Sequence, residues 1–147
     1  MRAVIQRVKE ASVNVEGRTI GAIGRGLLVF LGIGQGDTVD DIPRMIDKII
    51  NLRIFEKGNG KFDESLLAVE GELLIVSQFT LYADCSRGRR PSFSQAMGAD
   101  EARILFEVFV KRVRDKISKV ESGIFQASMD VSLINEGPVT IIIDSKG

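Results

Sequence analysis

The feature that most constrains the fold is an apolar run that ends abruptly in polar residues, at positions 73–81. Residues 73–76 read Leu-Leu-Ile-Val without alternation, and residues 77–81 read Ser-Gln-Phe-Thr-Leu. A run of this kind is typical of a strand covered on both faces, so we predict a central strand. Polar groups at its end must pair with neighbouring chain or line a pocket, because unpaired polar atoms are costly to bury. The strand end is therefore the first candidate site, and a plain strand entering a turn at 82–84 is the alternative.

The size and charge of the chain limit its organisation and partners. A chain of 147 residues with 44% apolar side chains can bury one core, so residues 1–147 are predicted to form a single domain. Twenty basic and twenty acidic side chains leave no net charge to steer the protein to nucleic acid or to a membrane. Cys85 permits no internal disulfide and is interpreted as structural. The charged N-terminus is not a signal segment, so we expect a cytoplasmic protein with no membrane contact.

The absence of histidine limits the chemistry. Serine and cysteine hydrolases that use a histidine base are excluded, because the chain contains no histidine. One cysteine and no imidazole leave only oxygen ligands, which argues against zinc. We therefore predict neither a metal nor a cofactor. A hydrolase built from this chain needs a strategy without a histidine base.

Short runs separated by glycine turns fill the first part of the chain. Residues 3–8 and 12–16 are predicted as two short strands, and residues 19–23 and 27–33 follow as two more, which indicates a meander. Arg7 lies among apolar residues. It is either solvated at a sheet edge or reaches inward to lock a loop, and we favour the solvated position because arginine is mostly exposed in proteins.

Two segments have helical periodicity. One begins near residues 40–41 with Pro43 in its first turn, and the other spans residues 100–118. The tail alternates over residues 129–133, breaks, and resumes over residues 139–143, which predicts a hairpin with proline in its loop. Many strand segments with two main helices predict a mixed α/β fold with a strongly curved, barrel-like sheet.

Two loops invite a functional interpretation. Residues 32–37 resemble a dinucleotide-binding turn, but the glycine spacing is wrong and Asp37 occupies the place of the third glycine. We interpret this segment as a strand-to-helix turn, with nucleotide binding as the alternative. The loop at residues 85–93 contains three arginines. It either contacts phosphates or is a solvated surface loop.

Two motifs together resemble a known family. The Ser-Gln-Phe-Thr-Leu of residues 77–81 and the Asn-Glu-Gly-Pro-Val-Thr of residues 135–140 are similar to the paired signatures of D-aminoacyl-tRNA deacylases. The likeness extends over effectively the whole chain, from residues 1–8 through residues 51–55 and 90–93 to Asp144. One departure is Glu136, where the family more often has aspartate.

The resemblance implies an editing hydrolase that cleaves the ester between a D-amino acid and the 3′-terminal adenosine of tRNA. It also implies a homodimer, in which a cis Gly137–Pro138 pair of one subunit enters the pocket of the other. The two carbonyls of that pair would hold the substrate amino group and leave no room for an L side chain. The catalytic residues implied are Ser77, Gln78, Phe79 and Thr80; Ala102 and Phe125 would contact the adenine, and Arg7 and Met129 would support the Gly-Pro loop.

Such a mechanism is compatible with a chain that lacks histidine. Backbone N–H groups near Phe79 and Thr80 can stabilise the developing oxyanion, and the ribose 2′-hydroxyl of the substrate can position or activate water. Thr80 as a nucleophile is the alternative, although no recognisable base is adjacent to it. Selection by shape cannot reject a smaller group, so glycyl-tRNA, including glycine on tRNA-Ala, is a predicted substrate. A non-catalytic RNA-binding module, using the arginine loop and residues 111–119, is the rival from another class.

Overall fold

Eight strands and two helices make up the computed structural model, which describes residues 1–146. The strands are β1 (Arg2–Val15), β2 (Arg18–Ile23), β3 (Gly26–Gly32), β4 (Phe55–Glu56), β5 (Phe62–Glu64), β6 (Glu72–Ser77), β7 (Val120–Ser122) and β8 (Asp130–Asp144). The helices are α1 (Ile42–Asn51) and α2 (Ala99–Arg114). The predicted mixed α/β class, with a nearly closed barrel-like sheet and two main helices, is confirmed.

Strand β6 is central to the main sheet, as the apolar run predicts. The strand order is β2-β1-β3-β6-β7, with β8 paired to β1, and β6 runs parallel to both of its neighbours. Leu73 and Ile75 pack into a core that contains the apolar faces of both helices. Leu74 and Val76 point the other way, into a second core formed with β1, β2, β3 and β8. Both faces of β6 are therefore covered.

The two helices bury the faces that their periodicity predicts. Helix α1 follows a short 3₁₀ turn that is capped by Thr38, and Pro43 lies in its first turn. Helix α2 ends at Arg114, earlier than predicted, because the chain tightens there: the Asp115 N–H donates to carbonyls three and two residues back. Ile117 is still buried, in the turn that follows. Neither helix in residues 1–146 is long and apolar enough to cross a membrane.

Two predicted interruptions do not exist. Residues 3–16 were predicted as two strands, but β1 is a single strand of 14 residues. Residues 129–143 were predicted as a hairpin, but β8 is a single strand of 15 residues that pairs with β1 on both sides of the Gly-Pro pair. Gln6 pairs with Thr140 and Val8 with Asn135, so residues 136–139 bulge outward opposite one residue, Arg7.

Arg7 is buried, and the solvated interpretation is wrong. Its side chain is only 6% exposed, and its Nε donates to the Glu136 carbonyl at 2.9 Å and its Nη1 to the Ile54 carbonyl at 2.8 Å. A buried guanidinium needs such partners, because its desolvation is otherwise costly. The Glu136 carboxylate lies 3.7 Å from Arg7 Nε, which gives the longer side chain at this position a partner. Arg7 therefore ties the bulge of β8 to the chain before β4.

The glycine-rich turn after β3 is a structural turn. The buried carboxylate of Asp37 accepts the Gly34 N–H at 2.7 Å, and it lies 2.7 Å from Met1 N and 3.3 Å from Lys146 Nζ. A Cβ added at Gly34 would lie 2.7 Å from the Tyr82 ring, so the turn is packed against the protein's own side chains. This packing argues against the nucleotide-binding interpretation. The acid in the place of the third glycine instead ties both ends of the chain to the turn.

Removing the Asp37 carboxylate is expected to destabilise the fold. The variant Asp37→Ala leaves buried donors unpaired, so the free energy of unfolding should fall by about 3 kcal/mol. Asp40→Ala is the matched control, because Asp40 is exposed and should change stability by less than about 0.5 kcal/mol. Urea denaturation followed by circular dichroism measures both. Equal, small losses would show that the turn does not depend on the buried carboxylate.

Candidate active site

A cavity of about 670 Å³ opens where β6 ends. Its walls come from the ends of β3 and β6, the segment before and including the first turn of α2, and the segment between β7 and β8. Most of the lining side chains are apolar or aromatic, and none carries a charge. The lining residues are Leu31, Ile33, Val76, Ser77, Gln78, Phe79, Phe93, Ala96, Met97, Gly98, Ala99, Ala102, Phe125, Gln126, Ala127, Met129 and Val131.

The structure brings together some of the predicted site residues and separates others. Thr80 follows the lining segment but is not itself part of the wall. Gly137, Pro138 and Arg7 lie at the bulge of β8, outside the cavity of the same chain. The predicted residues that do line the cavity are Ser77, Gln78, Phe79, Ala102, Phe125 and Met129.

The chain turns sharply after β6, and two backbone donors at this turn lack a partner among residues 1–146. The Gln78 N–H still donates to the Leu31 carbonyl at 2.9 Å, which continues the sheet by one bond. A 3₁₀ turn follows over Phe79–Tyr82, and the Gln78 side-chain amide donates to Thr80 Oγ1. Among residues 1–146, no acceptor is paired with the backbone N–H of Phe79 or Thr80. The first N–H groups of a helical turn lack internal partners, so these two are free to bind a ligand.

Arg2 holds this turn in place. Its Nη1 donates to the Leu81 carbonyl at 2.9 Å, its Nε donates to Asp144 Oδ2 at 3.1 Å, and its guanidinium lies 4.8 Å from the centre of the Tyr82 ring. Burial, with a contribution from Asp37, raises the pKa of Tyr82 to about 12, so its hydroxyl is neutral near pH 7. The sequence does not single out Arg2 as a site residue, because a charged residue at the start of a strand is common.

Aromatic rings form two walls of the cavity. Phe79 is 56% exposed and meets Phe93 edge to face, with ring centroids 5.0 Å apart. The ring centroids of Phe125 and Phe106 are 5.9 Å apart. The guanidinium carbon of Arg103 lies over the Phe125 ring, 5.5 Å from its centroid. Phe93 and Arg103 were not predicted as site residues. Phe93 was noted only as the end of the basic loop and of the family-like stretch 90–93, without a site role, and Arg103 is an exposed residue of α2 with no distinguishing pattern.

The Gly-Pro bulge is bonded on both sides and lies outside the cavity of its own chain. The peptide bond between Gly137 and Pro138 is cis, and both residues are exposed. The Asn135 side chain braces the bulge, since its Oδ1 accepts the Val139 N–H at 2.7 Å and its Nδ2 donates to the Val139 carbonyl at 3.2 Å. Arg7 holds the other side through the Glu136 carbonyl. Both sides of the bulge are thus bonded, and its tip is accessible.

The chemistry of this site is limited to what neutral groups can do. The cavity wall carries no carboxylate, amine or thiol, and within residues 1–146 no group of three acidic or cysteine side chains is placed to hold a metal ion. Apolar walls can enclose planar or aliphatic groups, and free backbone N–H groups can bind developing negative charge. The site therefore suits a substrate that is already activated and needs only positioning and charge stabilisation.

The family model described as D-Tyr-tRNA(Tyr) deacylase matches residues 4–144. The D-aminoacyl-tRNA deacylase of Thermosipho africanus (strain TCF52B) is 58% identical over 146 residues, which cover 99% of this chain and 98% of that protein. The D-aminoacyl-tRNA deacylase of Aquifex aeolicus (strain VF5) is 56% identical over 146 residues, which cover 99% of each chain.

Solved structures match over the same extent. The structure of c-Myc DNA Unwinding Element Binding Protein superposes with a TM-score of 0.93 at 41% identity, over 98% of both chains. A structure described as a "probable eukaryotic D-amino acid tRNA deacylase" shares the fold, with a TM-score of 0.82 at 20% identity over 97% of both chains. The family predicted from the two motifs is thus confirmed, and with it the class of ester hydrolase. On these matches, the chain belongs to the D-Tyr-tRNA(Tyr) deacylase family, together with these D-aminoacyl-tRNA deacylases.

Proposed function

We propose that this protein hydrolyses the ester that joins a D-amino acid to the 3′-terminal adenosine of tRNA. The observation that most supports this proposal is the pair of unpaired N–H groups of Phe79 and Thr80, where the cavity wall meets the end of β6. The cavity volume of about 670 Å³ lies within the range of small-ligand sites, and it can hold the terminal nucleoside with its amino acid. Such an enzyme would act in the cytoplasm, as a proofreader of charged tRNA.

The proposed chemistry uses the backbone. As water attacks the ester carbonyl, negative charge develops on the carbonyl oxygen, and the N–H groups of Phe79 and Thr80 stabilise it. The tRNA ribose leaves with the electron pair of the broken C–O bond and takes a proton. Because the cavity wall has no ionisable side chain, the substrate 2′-hydroxyl is the proposed group that positions water. Gln78 bonds to the Thr80 hydroxyl but is not a base, which weighs against Thr80 as the nucleophile.

The terminal adenosine needs a flat, apolar slot. Phe125 supplies an aromatic face, already packed against Phe106, and the small, buried side chain of Ala102 leaves space beside it. Met129 lies in the same wall. We assign the adenine to the Ala102 and Phe125 side of the cavity, which leaves the amino acid at the Ser77 to Thr80 side.

Chiral selection is proposed to come from a second copy of the chain. The Gly137–Pro138 bulge is exposed and outside its own cavity, so it reaches a cavity only in a neighbouring molecule. Strand β8 lies at the edge of the sheet, and Ile134 and Ile142 on it are 49% and 68% exposed, which suits a homodimer interface. Inserted into the partner's cavity, the bulge would hold the substrate amino group and block an L side chain.

The activity is tested with matched D- and L-aminoacyl-tRNA. We expect acid-precipitable label to be lost from D-tyrosyl-tRNA and retained on L-tyrosyl-tRNA, because only the L side chain meets the blocking bulge. Hydrolysis of both esters would show that the site does not select by chirality. Binding of tRNA without hydrolysis of either would instead favour a non-catalytic RNA-binding protein.

Glycine provides a sharper test of exclusion by shape. On one tRNA-Ala, glycyl, D-alanyl and L-alanyl esters differ only in the presence and direction of one methyl group. We expect the glycyl and D-alanyl esters to be cleaved and the L-alanyl ester to survive, because a pocket that excludes by size cannot reject a smaller group. Survival of the glycyl ester beside cleavage of D-alanyl would contradict this model and favour direct recognition of the D side chain.

The bulge is tested by Gly137→Ala. Gly137 has φ +140°, which L side chains rarely adopt, and an added Cβ would lie 2.7 Å from Val139 Cγ2 and 3.2 Å from Arg7 Nη2. We expect D-aminoacyl-tRNA hydrolysis to fall at least tenfold. The matched control is Gly17→Ala, since Gly17 has φ +77° with nothing within 4 Å of the added Cβ. Gly17→Ala imposes positive-φ strain without a clash and should keep hydrolysis within about twofold; equal loss of activity in both would argue against a role for the bulge.

A further inference from the structure

A loop whose base adjoins the cavity carries three arginines that have no side-chain partner among residues 1–146. Residues 85–98 contain Arg87, Arg89 and Arg90 and no acidic residue, so this segment has a charge of +3 in a chain whose net charge is zero. All three side chains are exposed, and among residues 1–146 their guanidinium groups make no ion pair, hydrogen bond or ring contact. Arg2 and Arg53, in contrast, are paired with Asp144 and Asp63.

The loop is fixed at its base. Asp84 and Ser92 exchange two backbone hydrogen bonds, of 2.8 and 2.9 Å, so the residues between them project as a closed loop. The Asp84 carboxylate is occupied locally, because it accepts the Ser86 N–H at 3.0 Å. The bond to Ser86 also lowers the pKa of Asp84. The acid three residues before Arg87 is therefore bonded within its own turn and makes no ion pair with the arginines.

The base of the loop adjoins the cavity wall. Phe93 follows Ser92 directly, lines the cavity and contacts Phe79. Two residues further on, the chain is tied to the turn after β3, since the Gln35 N–H donates to the Gln95 carbonyl at 2.8 Å and the Met97 N–H to the Ile33 carbonyl at 3.0 Å. The loop that carries the three arginines is thus anchored against the cavity wall at its base by a short, bonded segment.

The substrate class follows from what must lie at that mouth. If the terminal adenosine occupies the cavity, the preceding nucleotides of the tRNA 3′ end pass out of it, and each brings one phosphate charge. Arginine binds phosphate oxygens with a planar fork of donors, which suits an unpaired guanidinium cluster. We infer that Arg87, Arg89 and Arg90 bind the phosphates of the single-stranded 3′ end of tRNA; this rests on the proposed function.

A second basic surface serves as the control. Lys111, Arg112 and Lys116 are exposed near the end of α2. Lys111 is nine residues beyond Ala102 of the cavity, which places it about 14 Å along the helix. Cations at a helix C-terminus are also explained by the helix dipole, so these side chains need no ligand. Removing three charges there changes the net charge of the protein by the same amount as removing the arginines.

The experiment compares the variant R87Q/R89Q/R90Q with the variant K111Q/R112Q/K116Q. The ligand is an acceptor-stem minihelix that has a single-stranded 3′ CCA end and no attached amino acid. Its binding is measured by fluorescence anisotropy at several salt concentrations. The arginine variant should bind at least tenfold more weakly at 0.1 M salt, and the slope of log affinity against log salt should become shallower by about two, from three lost phosphate contacts at roughly 0.7 each. The control variant K111Q/R112Q/K116Q should stay within about twofold of wild type.

A second arm separates tRNA binding from ester cleavage. Each protein is given D-aminoacyl-tRNA and a D-aminoacyl-adenosine ester that lacks phosphates. The ratio of kcat/KM for tRNA to that for the short ester should fall at least tenfold in the arginine variant, mainly through KM. An unchanged ratio, unchanged minihelix affinity, or an equal loss in the control variant would overturn the assignment. Equal arginine-dependent binding of a blunt DNA duplex would also overturn it, because no single-stranded end is then required.

The two proposals fail in different ways. If the minihelix depends on the arginines but no D-aminoacyl ester is cleaved by the wild-type protein, the loop assignment stands and the hydrolase proposal fails. If D-aminoacyl esters are cleaved but minihelix binding ignores the arginines, the hydrolase proposal stands and the loop assignment fails. Thermal melting of both variants, expected to match wild type because all six side chains are exposed, shows that each protein is folded.

Discussion

The structure depends on the burial of β6 from both sides. Leu73 and Ile75 enter the core under the helices, and Leu74 and Val76 enter the core inside the curved sheet. Each such side chain contributes about 1.5–3 kcal/mol when fully buried, and β6, like β1 and β3, supplies side chains to both cores. Its parallel register with β3 fixes where it ends. The turn at residues 78–82 starts at that point. The packing of β6 in both cores therefore determines where the unpaired N–H groups of Phe79 and Thr80 lie.

A second constraint acts at the far end of the chain. Arg7 lies opposite four residues of β8, and its buried guanidinium bonds to the Glu136 carbonyl, so the extra residues are pushed outward as a fixed bulge. The cavity wall meanwhile has no ionisable side chain. The two parts of the proposed site are thus alike in kind: both present backbone groups held by neighbouring side chains. A chain without histidine can build such a site, because backbone groups need no titration to be effective.

The central strand and both helices were predicted correctly, because the spacing of apolar residues within each segment is enough to indicate them. The unbroken apolar run predicted β6, and apolar residues at helical spacing predicted α1 and α2, because that spacing shows which face of each element is buried. The interruptions in β1 and β8 were wrong, since a bulge and a hairpin turn use the same residues; only pairing with a distant strand distinguishes them. The burial of Arg7 was missed for the same reason: its partner is 129 residues away. The pattern indicated Ser77, Gln78 and Thr80, of which the first two line the cavity. The wall residues Phe79, Ala102, Phe125 and Met129 came only from the family resemblance, and neither source assigned a site role to Arg2, Phe93 or Arg103.

The distribution of charge bears on how a large substrate would be oriented. A strongly basic protein attracts RNA over much of its surface, and most of the resulting encounters place the 3′ end far from the cavity. This chain has no net charge, so its general field favours no such encounters. An unpaired arginine cluster that adjoins Phe93 would then be a local attraction close to the cavity. On the proposed assignment, the neutrality of the remaining chain matters as much as the arginines themselves, because electrostatic complementarity confined to one place fixes orientation more than it adds affinity.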